Sequence, residues 1–142
     1  MRVLQVVDGT GWGGTKEQVY LTTRELKKLG IDVHIALNFE YTQMIEKLKP
    51  YNLSIHFFEE NKPNARYRWS NYKRLIEIIK NNDFDIVVAN SPKAMDYVNI
   101  AYLFLKQKPK LIAVRRSGRV PSFISKHLKY SKADKIVVVS KQ

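Results

Sequence analysis

The chain of 142 residues carries 25 Lys and Arg against 13 Asp and Glu, a formal net charge of +12, with 44% hydrophobic and 27% charged residues. This composition fits a single globular domain spanning 1–142, and the lack of any cysteine excludes disulfides and thiolate metal sites. No apolar run approaches the roughly 18–20 residues of a membrane span, and Met1-Arg2-Val3-Leu4 enters strand pattern directly, so a cytoplasmic protein is expected.

The first strand-like run, Val3–Val7, leads straight into Asp8-Gly9-Thr10-Gly11-Trp12-Gly13-Gly14-Thr15. A helical pattern follows from Lys16, with Val19, Leu21, Leu26 and Leu29 as its apolar stripe and Gly30 as its stop. Further strand runs are Val33–Leu37, Leu53–Phe58, Ile86–Ala89, Leu111–Val114 and Ile136–Val139. Met44, Ile45 and Leu48 mark a short helix stopped before Pro50, and the polar stretch Glu59–Arg68 reads as a long loop. Tyr72, Leu75, Ile76 and Ile79 mark a longer helix, with Ser70 as its expected N-cap. Ser91-Pro92 predicts an N-cap followed by a first-turn proline, opening a helix through Leu105; another helix is expected over Pro121–Tyr130. Strands alternating with helices predict an α/β fold: a Rossmann-like parallel sheet of about six strands with helices on both faces.

In such sheets ligands bind beyond the carboxyl ends of the strands, so the segments that follow the strands are the candidates. The glycine turn leads into a helix N-terminus, where backbone N–H groups and the helix dipole favour phosphate or carboxylate. Gly9-Thr10-Gly11-Trp12-Gly13-Gly14 also satisfies the G-x-G-x-x-G spacing of dinucleotide sites. That fingerprint wants an acid closing the second strand, whereas this strand ends Ala36-Leu37-Asn38, with Glu40 two residues late. After the fourth strand, Asn90, Ser91 and Lys93 offer an amide, a hydroxyl and an ammonium for a sugar hydroxyl or a phosphate. After the fifth come Arg115, Arg116, Ser117 and Arg119, a guanidinium cluster with no acid nearby, suited to an anion. The charge follows the same gradient. Residues 1–96 hold 14 cations and 12 acids; residues 97–142 hold 11 cations and one acid, Asp134. His34, His56 and His127 are scattered, and no spacing suggests a metal site or a nucleophile–histidine–acid set. Trp12 either stacks on a ligand or covers the glycine turn.

Three blocks in order carry a family resemblance. Gly13-Gly14-Thr15-Lys16-Glu17-Gln18 is similar to a Gly-Gly-x-x-x-Gln loop, and Asp85–Ala94 (Asp-Ile-Val-Val-Ala-Asn-Ser-Pro-Lys-Ala) to Asp-Val-Val-His-x-His-Ser-x-Lys-Ala. Ala133–Ser140 (Ala-Asp-Lys-Ile-Val-Val-Val-Ser) is similar to Ala-Asp-x-Ile-Ile-Ala-Val-Ser. The chain thus resembles the N-terminal, acceptor-binding half of family 4 glycosyltransferases, retaining enzymes of the GT-B type that include lipopolysaccharide and cell-wall transferases. Arg115-Arg116 resembles the turn after the fifth strand in a lipopolysaccharide-type branch.

The resemblance implies one half of a GT-B fold, with a C-terminal nucleotide-sugar domain and its Glu-x7-Glu motif outside these residues. It implies hexosyl-type transfer to a lipopolysaccharide, lipid-linked or polysaccharide acceptor, with little activity without the donor half. Gly13, Gly14 and Thr15 then border the donor diphosphate, and Asn90, Ser91, Lys93, Arg115, Arg116, Ser117 and Arg119 face the acceptor. Asn90 stands where the family often has histidine. No cofactor or metal is implied, since the nucleotide-sugar binds mainly to the other half, and no nucleic acid is expected. The basic C-terminal third suggests peripheral contact with the anionic inner face of a membrane. Two other readings remain open on the residues: a stand-alone nucleotide- or NAD-binding module, and a non-catalytic basic membrane-interaction domain.

Overall fold

The computed structural model describes residues 1–61, 68–115 and 135–138. In chain order the elements are β1 (Arg2–Val6), α1 (Gly14–Lys28), β2 (Asp32–Asn38), α2 (Thr42–Leu48), β3 (Ser54–Glu59), α3 (Trp69–Asn81), β4 (Ile86–Ala89), α4 (Pro92–Tyr102), β5 (Lys110–Arg115) and β6 (Lys135–Val138). The strands form one six-stranded sheet in the order β3-β2-β1-β4-β5-β6, and every pairing is parallel. The Rossmann-like α/β class read from the pattern is the class observed. The helix expected over Pro121–Tyr130 lies outside the described residues.

Alternation along the strands divides the core into two layers. Leu4 and Val6 of β1, with Val87 and Ala89 of β4, pack under Leu75 and Ile79 of α3 and Met95, Val98 and Ala101 of α4. On the opposite face Val7, Ile35 and Leu37 pack against Val19 of α1 and Met44 and Leu48 of α2. Helices therefore cover both faces, which is why the strands read as near-continuous apolar runs. One buried polar link crosses the core near β1: Gln5 Nε2 donates to Thr23 Oγ1 at 3.3 Å, and Gln5 Oε1 accepts from Asn90 Nδ2 at 2.8 Å.

The helix ends follow local chemistry. Gly30 adopts φ +82 just past α1, and its N–H bonds Lys27 O at 3.1 Å while Ile31 N–H reaches back to Leu26 O at 3.1 Å. That pair of bonds is a Schellman closure, which needs a left-handed residue. Gly30→Ala forces a Cβ into that conformation and should cost about 1 kcal/mol, read as a lower urea midpoint at unchanged m-value. Ser91 Oγ caps α4 by accepting from Ala94 N at 3.0 Å, with Pro92 at the first helical position as expected.

Ser70 is not the cap of α3. The helix begins at Trp69 with Arg68 extended ahead of it, so the Ser70 hydroxyl sits inside the first turn. The polar side chain that ties this turn down is buried Asn71, whose Oδ1 accepts from Glu60 N at 3.2 Å and Arg74 Nη1 at 3.0 Å. α4 stops at Tyr102 rather than Leu105 because its last turn tightens to three-residue bonds, Leu103 N to Ile100 O and Phe104 N to Ala101 O, both at 3.1 Å.

Candidate functional site

From β1 the chain builds outward through β2 and β3 on one side, then crosses back through α3 to β4 on the other side of β1, so the carboxyl ends of β1 and β4 form the switch point of the sheet. Two residues meet across it. Ser91, while capping α4, donates its hydroxyl to Asp8 Oδ1. Asp8 lies two residues past the end of β1 and is half-buried; its backbone carbonyl accepts from Lys16 Nζ.

The glycine turn starts at Gly9, whose φ of +75 admits few residues other than glycine. Its N–H donates to Glu59 Oε1 at 2.8 Å. Glu59 closes β3 and is 1% exposed. Its carboxylate also accepts from Asn38 Nδ2 at 3.0 Å and Tyr97 Oη at 2.7 Å, with Lys93 Nζ 3.5 Å away. Burial by itself pushes the Glu59 pKa up; the Gly9, Tyr97 and Asn38 donors and the Lys93 charge outweigh it and hold the carboxyl below the ordinary glutamate value. The Tyr97 hydroxyl, buried and donating to that anion, is pushed well above the ordinary tyrosine range.

The rest of the turn is pinned from the side. Tyr41 Oη donates to Gly11 O at 2.6 Å, and burial, then the Asp8 charge, push the Tyr41 pKa up to about 12. Trp12 donates to Glu17 Oε2 at 3.0 Å, packs on Tyr20 and Tyr41, and carries Lys47 Nζ over its ring at 5.0 Å. Trp12 is thus a cover on the turn. Gly11, Gly13 and Gly14 stay exposed, and a Cβ built on any of them meets nothing within 4 Å. Gly13 is extended, at φ 179, and its carbonyl accepts from Glu17 N at 2.9 Å to start α1. The fold itself does not need these last glycines.

The structure brings Gly13, Gly14, Ser91 and Lys93 to one end of the sheet and departs from the sequence reading at Asn90. Far from being exposed, Asn90 is 2% exposed, and its Nδ2 bonds Gln5 Oε1 at 2.8 Å and the carbonyls of Val6 and Val88, each at 3.3 Å. Its amide turns back into the gap between β1 and β4, where the backbone ladder ends and carbonyls need donors. It acts as an internal clip. Thr15 lies in the first turn of α1 and Arg115 ends β5, with no side chain described for either; Arg116, Ser117 and Arg119 lie outside the described residues.

Asp8 and Glu59 were not among the expected site residues. Asp8 was readable as the first polar residue beyond a buried strand, but Glu59 looked like the start of a loop rather than the end of β3. The dinucleotide reading meets two physical obstacles. Glu59 already occupies the Gly9 N–H, and the second strand ends in buried Asn38, whose side chain is committed to Glu59. Among the described residues no three His, Cys, Asp or Glu side chains cluster as a metal site.

Residues 12–142 match the family model described as Glycosyltransferase Family 4. The chain belongs to this family. None of the curated protein sequences compared with it matches. Among solved structures, HepE of Anabaena in complex with UDP-glucose superposes with a TM-score of 0.71 at 15% identity, over 96% of this chain and 36% of HepE. MurG of Acinetobacter baumannii gives 0.62 at 12% identity, over 96% of this chain and 40% of MurG. MT0777 gives 0.59 at 14% identity, over 99% and 87% of the two chains. The chain thus spans little more than a third of HepE. Its fold is that of the N-terminal half of a family 4 GT-B glycosyltransferase, a glycosyltransferase-type module.

Proposed function

We propose that residues 1–142 are the acceptor-binding domain of a retaining, hexosyl-type family 4 glycosyltransferase. A donor-binding half, in a longer chain or a partner, holds the nucleotide-sugar, and the acceptor is a lipopolysaccharide, lipid-linked or polysaccharide glycan. The observation that carries this reading is the half-buried Asp8 carboxylate, clamped by Ser91 at the switch point beside an open glycine turn. A carboxylate oxygen there accepts a hydrogen bond from a glycan hydroxyl, and Lys93 supplies a donor on the same rim. Glu59 is paired with Lys93, and the Lys16 ammonium sits on the Asp8 backbone carbonyl, so two acids and two cations share this end of the sheet, which suits an uncharged, hydroxyl-rich ligand. Gly13 and Gly14 present bare backbone at the start of α1 to the donor diphosphate across the cleft. Phosphate groups on the acceptor fall to Arg115, Arg116 and Arg119, with Ser117 as a further donor.

HepE, which shares the fold, was crystallised with UDP-glucose, which supports a nucleotide-sugar as donor. Titrating the chain by calorimetry with UDP, ADP and NAD should give no saturable binding tighter than millimolar. Micromolar affinity for NAD would overturn the acceptor-domain reading in favour of a nucleotide-binding module.

A further inference from the structure

The turn after β2 sets a second group of ligand-type side chains at the carboxyl end of the sheet. Phe39 follows the last residue of β2 and is 46% exposed. Its ring lies nearly parallel to that of Phe57, with centroids 5.5 Å apart and planes at 20°. The Arg74 guanidinium sits 5.0 Å from the Phe39 centroid. Arg74 is itself fixed, its Nη2 donating to Glu60 Oε1 at 2.6 Å and its Nη1 to Asn71 Oδ1 at 3.0 Å. Braced by a second ring and a held cation, Phe39 stays at the surface instead of folding down onto the core.

Planar polar groups stand beside it. Asn61 Nδ2 donates to Glu40 Oε2 at 2.7 Å, and both side chains are exposed. The turn is stiff: Glu40 N–H bonds Asn38 Oδ1 at 2.9 Å, and Tyr41 N–H bonds Asn38 O at 3.1 Å. Phe39 N–H donates to the carbonyl of Glu59 at 3.0 Å, and the Glu59 carboxylate holds Gly9 and lies by Lys93. Turn and rim thus share one buried anchor. Since β2, β1 and β4 are neighbours and strands lie about 4.8 Å apart, the turn stands about 10 Å from the carboxyl end of β4.

A pyranose has an apolar C–H face that packs on an aromatic ring, and hydroxyls that planar carboxylates and amides bond in pairs. A phosphate would need a cation not already shared with an acid, whereas Arg74 is committed to Glu60 and Glu40 would repel it. We infer that Phe39, Glu40 and Asn61, with Arg74 as the brace, form a subsite for an uncharged sugar behind the one that receives the transfer. The inference rests on the acceptor reading of the Asp8–Ser91 rim and narrows it. The acceptor is a pre-formed oligosaccharide, and the reaction lengthens a glycan instead of starting one on a lipid phosphate. A transferase of the priming class must act earlier to supply it.

An array of neutral bacterial oligosaccharides and their single sugars, probed with the full chain, tests this subsite, with calorimetry on the glycan best retained. Oligosaccharides should bind about tenfold tighter than their single sugars. Phe39→Ala and Glu40→Gln should each remove about tenfold of the oligosaccharide affinity, while Phe39→Tyr keeps it. Asp8→Asn, at the rim, should weaken single sugars and oligosaccharides by the same factor. Circular dichroism checks that every variant is folded. Two outcomes overturn the subsite and leave the rim reading standing: single sugars that bind as tightly as oligosaccharides, or a Phe39→Ala chain that binds like wild type while Asp8→Asn loses the glycan. Loss with Phe39→Ala but not with Asp8→Asn would support the subsite and overturn the rim. Retention of no glycan by the folded wild-type chain would overturn both.

Discussion

Glu59→Ala should lower the free energy of unfolding by about 3–5 kcal/mol, the largest single-residue loss expected in this domain. The change strands Tyr97 Oη, Asn38 Nδ2 and the Gly9 N–H without their shared acceptor in a buried place, and leaves Lys93 without its counter-charge. Glu59→Gln keeps the shape and one acceptor oxygen but loses the charge, so an intermediate loss of about 1–3 kcal/mol is expected. Urea titrations of both variants give these differences, and the glutamine variant covers the case in which alanine prevents folding.

The pH dependence has a definite sign. The Glu59 carboxyl is held below its ordinary value in the fold, so its stabilisation is complete above the unfolded value of about 4.5 and is lost as pH falls beneath it. The same substitution frees the first bond of the glycine turn, and amide exchange at Gly9 should accelerate more than exchange in the centre of β1. Unchanged stability together with unchanged Gly9 exchange would show that Glu59 does not hold the turn.

The second large effect is acid sensitivity from a histidine pair at the other end of β2 and β3. His34 Nδ1 lies 2.9 Å from His56 Nε2, the rings are stacked at 10°, and Phe84 meets both edge-on. Asp32 Oδ1 is 3.2 Å from His34 Nε2. The neutral pair is satisfied in one arrangement: His56 Nε2–H donates to His34 Nδ1, and His34 Nε2–H donates to Asp32. One proton more can be absorbed by switching the His56 tautomer; two protons set N–H against N–H and charge against charge.

Burial lowers the His34 pKa first, with Asp32 opposing and Arg2 and Lys27 assisting; burial and the His34 charge lower His56. A histidine depressed in the fold stabilises fully above its unfolded value of about 6.5, and that stabilisation drains away as pH falls below it. The thermal midpoint should therefore drop between neutral pH and pH about 5, before the carboxylates titrate. His56→Gln, which leaves His34 a neutral neighbour, should flatten this part of the curve. A wild-type midpoint that is level through this range would remove the pair as the source.

Local patterning made most of the fold legible. Each buried strand announces itself as a short apolar run, and the helix-end roles of Gly30, Ser91 and Pro92 are local, set within five residues of themselves, so those roles needed no knowledge of the rest of the chain. Ser70 misled because Ser70 and Asn71 both suit a helix start, and which residue enters first depends on where Tyr72, Leu75 and Ile79 must point to reach the core. The ordered blocks around Gly13, Asn90 and Ala133 carried the family, and all three lie within residues 12–142, which match its model.

The site was less legible. By itself the sequence determined a parallel α/β domain of family 4 type and the segments that follow its strands, because alternating strands and helices put those segments at the carboxyl end of the sheet. Tertiary structure alone decided what those segments do there. It sent the Asn90 amide inward to Gln5, 85 residues away, and brought Glu59 to Gly9, 50 residues away. It also set Asp8 against Ser91, 83 residues on. Whether a polar side chain faces ligand or core depends on which unsatisfied backbone and side-chain groups surround it after strands distant in sequence have paired. No local pattern records that.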